Sequence, residues 1–166
     1  TSEVSNMNSG KIFEKNFKAS IPPGVFYYRL RDSPATFGNG EQIRFSTSNM
    51  CDCVLFGNRT LFLCELKSHN GKSIPFSCVR ENQIEQLTKA AKFPFIIPAL
   101  VIFFPDVEKC WAVHINDWNN LVDASKKKSA NIAEIEQAGF EVGVTKLKVN
   151  FKYDVQTMMK DLSEDI

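Results

Sequence analysis

The sequence predicts an α/β fold, a mixed β-sheet flanked by helices. Three observations carry this. Apolar runs of strand length recur from Val25 to Phe151, with helical stretches between several of them. Two of the runs, 51–56 and 61–67, are joined only by Gly57-Asn58-Arg59-Thr60, so a hairpin sits within the alternation and the pairing is mixed. The chain has 166 residues with no repeats, low-complexity tracts or long linkers, and 1–166 reads as a single domain.

Taken in order, Asn8 or Ser9 caps a first helix that runs to about Ser20, with Ile12, Phe13 and Phe17 on its apolar face. Pro22-Pro23-Gly24 stops it. Residues 25–31 form a strand, and 32–42, with Pro34, Gly38, Asn39 and Gly40, form a loop before a short strand at 43–46. The strands 51–56 and 61–67 follow, then a loop at 69–73 and a helix over 79–92 capped by Ser77. Residues 95–104 make an apolar central strand in which Pro98 confines regular pairing to the second half. Pro105-Asp106 turns into a strand at 110–115, and a short helix spans 117–124. A helix over 131–138 ends at Gly139, the usual residue past a helix terminus. Residues 142–151 alternate as one strand, and Asp154 caps a last helix.

Composition narrows the function. The apolar fraction of 43% and charged fraction of 23% exclude a disordered chain. Twenty basic residues against 19 acidic give a net charge of +1, so a nucleic-acid site must be a local patch. The longest uncharged apolar run, 93–105, holds three prolines and is too short to span a bilayer, so no membrane partner is expected. No charged-then-apolar start marks the chain for export. Five cysteines in no scaffold spacing read as small buried thiols, which places the protein in a reducing cytoplasm. With only His69 and His114, no zinc cluster is expected.

The informative segment runs from Ser48-Asn49-Met50-Cys51-Asp52 to Cys64-Glu65-Leu66-Lys67. Alternation along a strand puts Leu61, Leu63, Glu65 and Lys67 on one face, and Cys51, Cys53 and Leu55 together on a face opposite Asp52. If the turn is a two-residue one with Asn58-Arg59 at its tip, Gly57 pairs with Thr60 and Asp52 lies directly across from Glu65. A longer turn shifts the register by one and separates them. Opposed side chains have Cβ atoms roughly 5 Å apart. Two carboxylates that close share a proton or hold a cation, and hard oxygen ligands with a backbone carbonyl suit Mg²⁺ or Mn²⁺. Lys67 on the same face is placed to orient a water or to meet the charge developing on a phosphate. The bland alternative is an edge hairpin whose Glu65 and Lys67 face solvent. The apolar residues flanking every member weigh against it, because an unpaired charge in a buried strand is costly.

Asp52, Glu65 and Lys67 match the PD-(D/E)xK nuclease pattern, and the order of elements most resembles the RecU-type Holliday-junction resolvases within that superfamily. The resemblance begins at Gly10-Lys11-Ile12-Phe13-Glu14. It continues through Tyr27-Tyr28-Arg29, the triad, Ile74-Pro75-Phe76 and Asn82-Gln83-Ile84-Glu85-Gln86-Leu87, and ends near Ile102-Phe103-Phe104 and Trp111. It covers about 9–115 and leaves the last third unaligned. What it implies is a restriction-endonuclease-like core and a homodimeric, Mg²⁺-dependent endonuclease (with Mn²⁺ able to substitute) without an organic cofactor. Such an enzyme nicks two strands of a four-way DNA junction symmetrically, leaving 5′-phosphate and 3′-hydroxyl ends. Asp52 and Glu65 would bind metal with the Leu66 carbonyl, and Lys67 would position the attacking water. Glu14 would reach the metal through water, and Gln83 would line the site. The family's basic stalk corresponds to residues 31–49, which carry Arg31 and Arg44 but also Asp32 and Glu41. This reduced stalk leaves open a restriction- or repair-type nuclease on another DNA structure, or a non-catalytic DNA-binding module. The small size and reduced stalk also suit a phage-encoded protein in a bacterial cell.

Further DNA contacts are expected at Lys11, Lys15 and Lys18 beside Glu14, at Arg31 and Arg44, and at His69 just past Lys67. Lys146 and Lys148, with Lys152, fall on one face of the expected strand at 142–151 and read either as a phosphate track or as a solvated face. Lys126-Lys127-Lys128 sits in a loop and carries the same two readings.

Overall fold

The computed structural model describes residues 3–31 and 49–164. Most of the stalk region, with Arg44 and the expected strand at 43–46, lies outside the described residues. Helix α1 (Glu3–Ala19) leads into β1 (Phe26–Arg29), and the β2 (Cys53–Gly57) and β3 (Thr60–Ser68) hairpin follows. After β4 (Ser73–Pro75) come α2 (Glu81–Ala90), β5 (Ile96–Phe104), β6 (Lys109–His114), α3 (Ile115–Ala124), β7 (Ser129–Asn131) and α4 (Ile132–Ala138). The chain closes with β8 (Phe140–Val142), β9 (Val144–Lys146), β10 (Phe151–Tyr153) and α5 (Val155–Glu164).

The mixed α/β architecture is the one expected. Six strands form the main sheet in the order β1-β2-β3-β5-β6-β8, and β4–β7 and β9–β10 form two small ribbons. Among the described strands only β3 and β5 pair in parallel, because α2 supplies the crossover between them. One face of the sheet packs Phe13 and Phe17 of α1 and Met158 and Leu162 of α5 over Cys53, Leu55, Phe62, Cys64 and Leu66. The other packs Leu87 of α2, Trp118 of α3 and Ile135 of α4 over Leu63, Leu100 and Ile102. The end of α1 is pinned to β10: the Ser20 hydroxyl donates to the Asn16 carbonyl at 2.7 Å and accepts from the Tyr153 N–H at 3.0 Å.

Several expectations change. Residues 142–151 are not one strand: β9 and β10 form a hairpin closed by the Leu147 N–H donating to the Asn150 carbonyl at 2.7 Å. Pro98 does not limit β5, which pairs with β3 from Ile96 onward. Strand β6 joins only from Ala99, so at Pro98 one flank of β5 has no partner strand for a missing N–H to leave unsatisfied. The loop expected at 69–73 gives way at Ser73 to β4, and Ser77 lies in a 3-10 turn (Phe76–Cys78) rather than at the start of α2, whose N-cap is Arg80. Asp154 does cap α5, accepting from the Thr157 N–H at 3.1 Å.

Gly139 ends α4 but with φ −142°, extended and not left-handed. Its requirement is space: an added Cβ would run into the Ala112 carbonyl of β6 and sit 2.8 Å from Val113 Cγ2. Gly139→Ala is therefore expected to destabilise the fold by about 1–3 kcal/mol, the usual cost of overpacking. A lower urea midpoint at unchanged slope would show this, and an unchanged midpoint would refute it.

Candidate active site

The site is built by the β2–β3 hairpin. Asn58 and Arg59 have φ of 49° and 60°, the pair of positive angles that a two-residue type I′ turn requires, and Gly57 pairs with Thr60 as the short-turn reading expects. The ladder then runs regularly to Cys53 opposite Cys64.

At Asp52 the register breaks. The Asp52 N–H donates to the Cys64 carbonyl at 3.1 Å, so Asp52 and Cys53 both oppose Cys64 in a β-bulge. The expectation that Asp52 sits directly across from Glu65 is corrected accordingly. The bulge also undoes the predicted shared face of Cys51 and Cys53. Cys51 packs in the core under α2, while Cys53 and Leu55 pack in the core under α1. The Asp52 carboxylate, re-aimed, accepts from the Leu66 N–H at 2.7 Å through Oδ2.

Glu65 lies on the α2 side of the sheet with Leu63, paired across β5 to the fully buried Leu100. It is only 3% exposed. Two residues on, Lys67 returns to the same face, and its Nζ lies 2.8 Å from Glu65 Oε1. The other oxygen, Oε2, is buried with no hydrogen-bond partner. Burial, followed by the charge of Glu65, pushes the Asp52 carboxyl up to about 7, while the Leu66 N–H and Lys67 pull it the other way.

From the opposite face α1 brings Glu14, whose Oε2 accepts from Arg29 Nε at 2.9 Å. The pair is coupled to Asp52: Glu14 helps to raise the Asp52 carboxyl, and Asp52 is among the charges that raise Arg29. Arg29 is the site residue that sequence reasoning gave no role. The available signal was its place two residues from Tyr27, which puts both on the α1 side of β1. Gln83 is buried, and its amide oxygen accepts from the Arg80 N–H at 3.3 Å at the start of α2. The 3-10 turn before α2 does approach the cluster, since Cys78 responds to the charges of Lys67 and Glu65.

The expected DNA-contact residues scatter more widely. Lys11, Lys15 and Lys18 are exposed along α1, with Lys18 Nζ 5.9 Å from the centre of the Tyr27 ring. Arg31 is exposed and its carbonyl accepts from Asn49 Nδ2, which ties together the two ends of the segment between them. His69 is half-buried, its N–H held by the Phe103 carbonyl. Lys146 and Lys148 do not share a strand face: Lys146 ends β9 and pairs with Glu108, and Lys148 lies in the turn.

The donor set suits a small hard cation. Among the described residues no three His, Cys, Asp or Glu side chains gather around one point. The available oxygens are those of Asp52 and Glu65, including the unpartnered Oε2, together with the Leu66 carbonyl. In a strand the N–H and C=O of one residue point to the same side, so that carbonyl faces the edge where Asp52 sits.

Fold and cluster together define a mixed-sheet α/β protein in which a buried glutamate, a half-buried aspartate and a lysine meet on the sheet. No family model matches the chain. It is 35% identical over 172 residues to the SPbeta prophage-derived uncharacterized protein YotM of Bacillus subtilis (strain 168), an alignment covering 93% of this chain and 87% of that protein. The chain belongs to the family of that protein. Among solved structures it is similar to Hjc, a Holliday junction resolvase of Archaeoglobus fulgidus, at 15% identity and a TM-score of 0.47, over 83% of this chain and 94% of the other. No helix among the described residues is long and apolar enough to cross a membrane.

The raised Asp52 carboxyl sets a pH dependence. Its ordinary value is 3.8, so between there and about 7 the folded state holds a proton that the unfolded chain has released. This contribution to stability is complete below about 3.8 and is lost as pH rises through about 7. The metal-free protein is expected to melt at progressively lower temperature across that window, and Asp52→Asn should flatten the trend. Identical pH profiles for the two proteins would refute the assignment.

Proposed function

We propose that this protein is a metal-dependent endodeoxyribonuclease with Asp52, Glu65 and Lys67 as its catalytic core. One observation carries the reading: Glu65 is buried with an unpartnered oxygen, beside a carboxylate that favours its proton and a lysine clasped to the same strand face. An apolar strand tolerates such a group only if something else completes it, and a divalent cation does so. Asp52, Glu65 and the Leu66 carbonyl would hold Mg²⁺, or Mn²⁺ in its place, which would supply charge stabilisation at phosphorus and an acidified water.

The chain's own side chains do the remainder. Lys67, fixed by Glu65, directs its ammonium to the attacking water and the phosphate. Arg29, partly exposed beside Asp52, offers a guanidinium to a non-bridging phosphate oxygen, and Glu14 holds that guanidinium in place. Glu14 and Gln83 support the site from the two helices. The substrate is branched DNA, a four-way junction cut by a homodimer with paired nicks. This part rests on the likeness of the Phe13-Glu14, triad and Asn82-to-Leu87 segments to RecU-type resolvases. Two-fold symmetry suits it, since a dimer sets two like sites on two like strands. A prophage-derived relative fits a protein that acts on phage or host DNA inside a bacterium.

The deciding experiment offers a synthetic four-way junction, its component duplex and a single strand in Mg²⁺. Symmetric nicks in the junction alone are expected, with Asp52→Asn and Lys67→Ala slower by about 100-fold or more. Cutting of all three substrates would keep the site and remove the junction assignment. Binding without cutting would make the chain a DNA-binding module. Sedimentation showing a monomer on the junction would exclude paired nicking. Separately, calorimetric Mg²⁺ titration should detect one site per chain that Glu65→Gln weakens by at least about tenfold.

A further inference from the structure

Two segments of this nearly neutral chain, 68–80 and 124–133, carry five of its 20 basic residues and none of its 19 acidic ones, so the remainder is net negative. The fold brings these segments together. Strands β4 and β7 pair antiparallel with Ser73 opposite Asn131 and Pro75 opposite Ser129. The Phe76 N–H donates to the Lys128 carbonyl at 3.0 Å, and the Ile132 N–H to the Lys72 carbonyl at 3.0 Å. Lys72 and Lys128 therefore stand at opposite ends of the ribbon, about 13 Å apart at the rise of a strand. Lys126 precedes Lys128 in the same loop, and Arg80 lies four residues beyond Phe76.

Carboxylates blunt only part of this charge. Lys127 is paired to Glu134 at 2.8 Å, and Asp106 binds the Gly71 N–H in the adjoining loop. Lys72, Arg80, Lys126 and Lys128 are exposed, and among the described residues none has a carboxylate within ion-pair distance. The ribbon's Ile74 and Ala130 pack on the sheet face that also holds Leu63, the face of Glu65 and Lys67. Cys78, just past the ribbon, feels the charges of both. A cationic platform thus adjoins the carboxylate site on the same side of the sheet.

We propose that the β4–β7 ribbon binds the backbone of the duplex arm running away from the cleaved phosphate, with Lys72, Lys126 and Lys128 as its phosphate contacts. This rests on the nuclease reading for the identity of the reacting strand, but the contact itself is electrostatic and separable from cleavage. Lys72 and Lys128 at the two ends of the ribbon, with Lys126 beside Lys128 in the loop, offer charge to a row of phosphates and read no sequence. The platform also gives the run Lys126-Lys127-Lys128 a place in the fold that it lacks as a sequence motif.

The test measures junction affinity against salt in an Asp52→Asn background, where the DNA stays intact. Replacing Lys72, Lys126 and Lys128 by alanine is expected to reduce the slope of log K against log salt by about 2–3, at about 0.9 for each phosphate no longer neutralised. A charge-matched control, alanine at the ion-paired Lys89, Lys109 and Lys160, should leave the slope unchanged. In the otherwise wild-type enzyme the triple variant should raise KM and spare kcat, since these lysines do not touch the reacting atoms. Acylation footprinting of the unaltered protein should show Lys72, Lys126 and Lys128 protected by DNA. An unchanged slope without protection overturns the proposal. Lysine-dependent binding by a protein that cuts nothing would leave the platform standing and remove the nuclease reading instead.

Discussion

Glu65 is a carboxylate sealed into the middle of an apolar sheet, and much of the local structure answers to that. Glu65 pairs across to Leu100 of β5 and is 3% exposed, and among the described residues only Lys67 lies within ion-pair distance of it. Strand β2 begins at Cys53 opposite Cys64, so the stretch of β3 that follows, to Ser68, has no β2 partner. The Leu66 N–H consequently has no ladder partner, and a buried N–H must find one. Asp52 provides it with a side chain rather than a backbone carbonyl. The bulge that makes this possible also places a second carboxylate next to the first. One irregularity satisfies the backbone and assembles the anionic pair.

The two faces of the sheet contribute unequal things to this point. Helix α1 covers one face and carries Glu14, which pairs with Arg29 of β1 near Asp52. The other face carries α2, the 3-10 turn at Phe76–Cys78 and the β4–β7 ribbon with its unpaired lysines. A net charge of +1 conceals this division. Glu65 is buried and Asp52 half-buried, whereas the lysines beside the β4–β7 ribbon are exposed, so an averaged charge says little about either.

Much of the core was legible because it follows from local rules. Asn58-Arg59 between two alternating strands specifies a short turn, and the turn specifies which residues pair near it. Glu65 and Lys67, two apart on one strand, must share a face whatever surrounds them. The crossover helix between β3 and β5 follows from its length and periodicity. Where these rules mislead, the missing information lies in another part of the chain. Lys146 to Lys152 alternate like a strand, but Leu147-Lys148-Val149-Asn150 turns without a glycine or proline to mark it. Pro98 is tolerated because β6 stops at Ala99, a fact about a different strand.

The residue types and their spacing thus determined which groups the short turn brings together, two acids and a lysine. The fold settled their geometry. Whether Asp52 faces Glu65 squarely or bulges past it depends on where β2 ends against β3. That in turn decides which N–H of β3 is left open. Gly139 shows the same division, since a helix-ending glycine is readable in the chain, yet its need for space comes from the β6 backbone against it. Arg29 and the β4–β7 lysines acquire meaning only once α1 and β7 are packed beside them. Pairing between distant segments is a balance of many hydrogen bonds and buried surfaces, and no short window of sequence contains it.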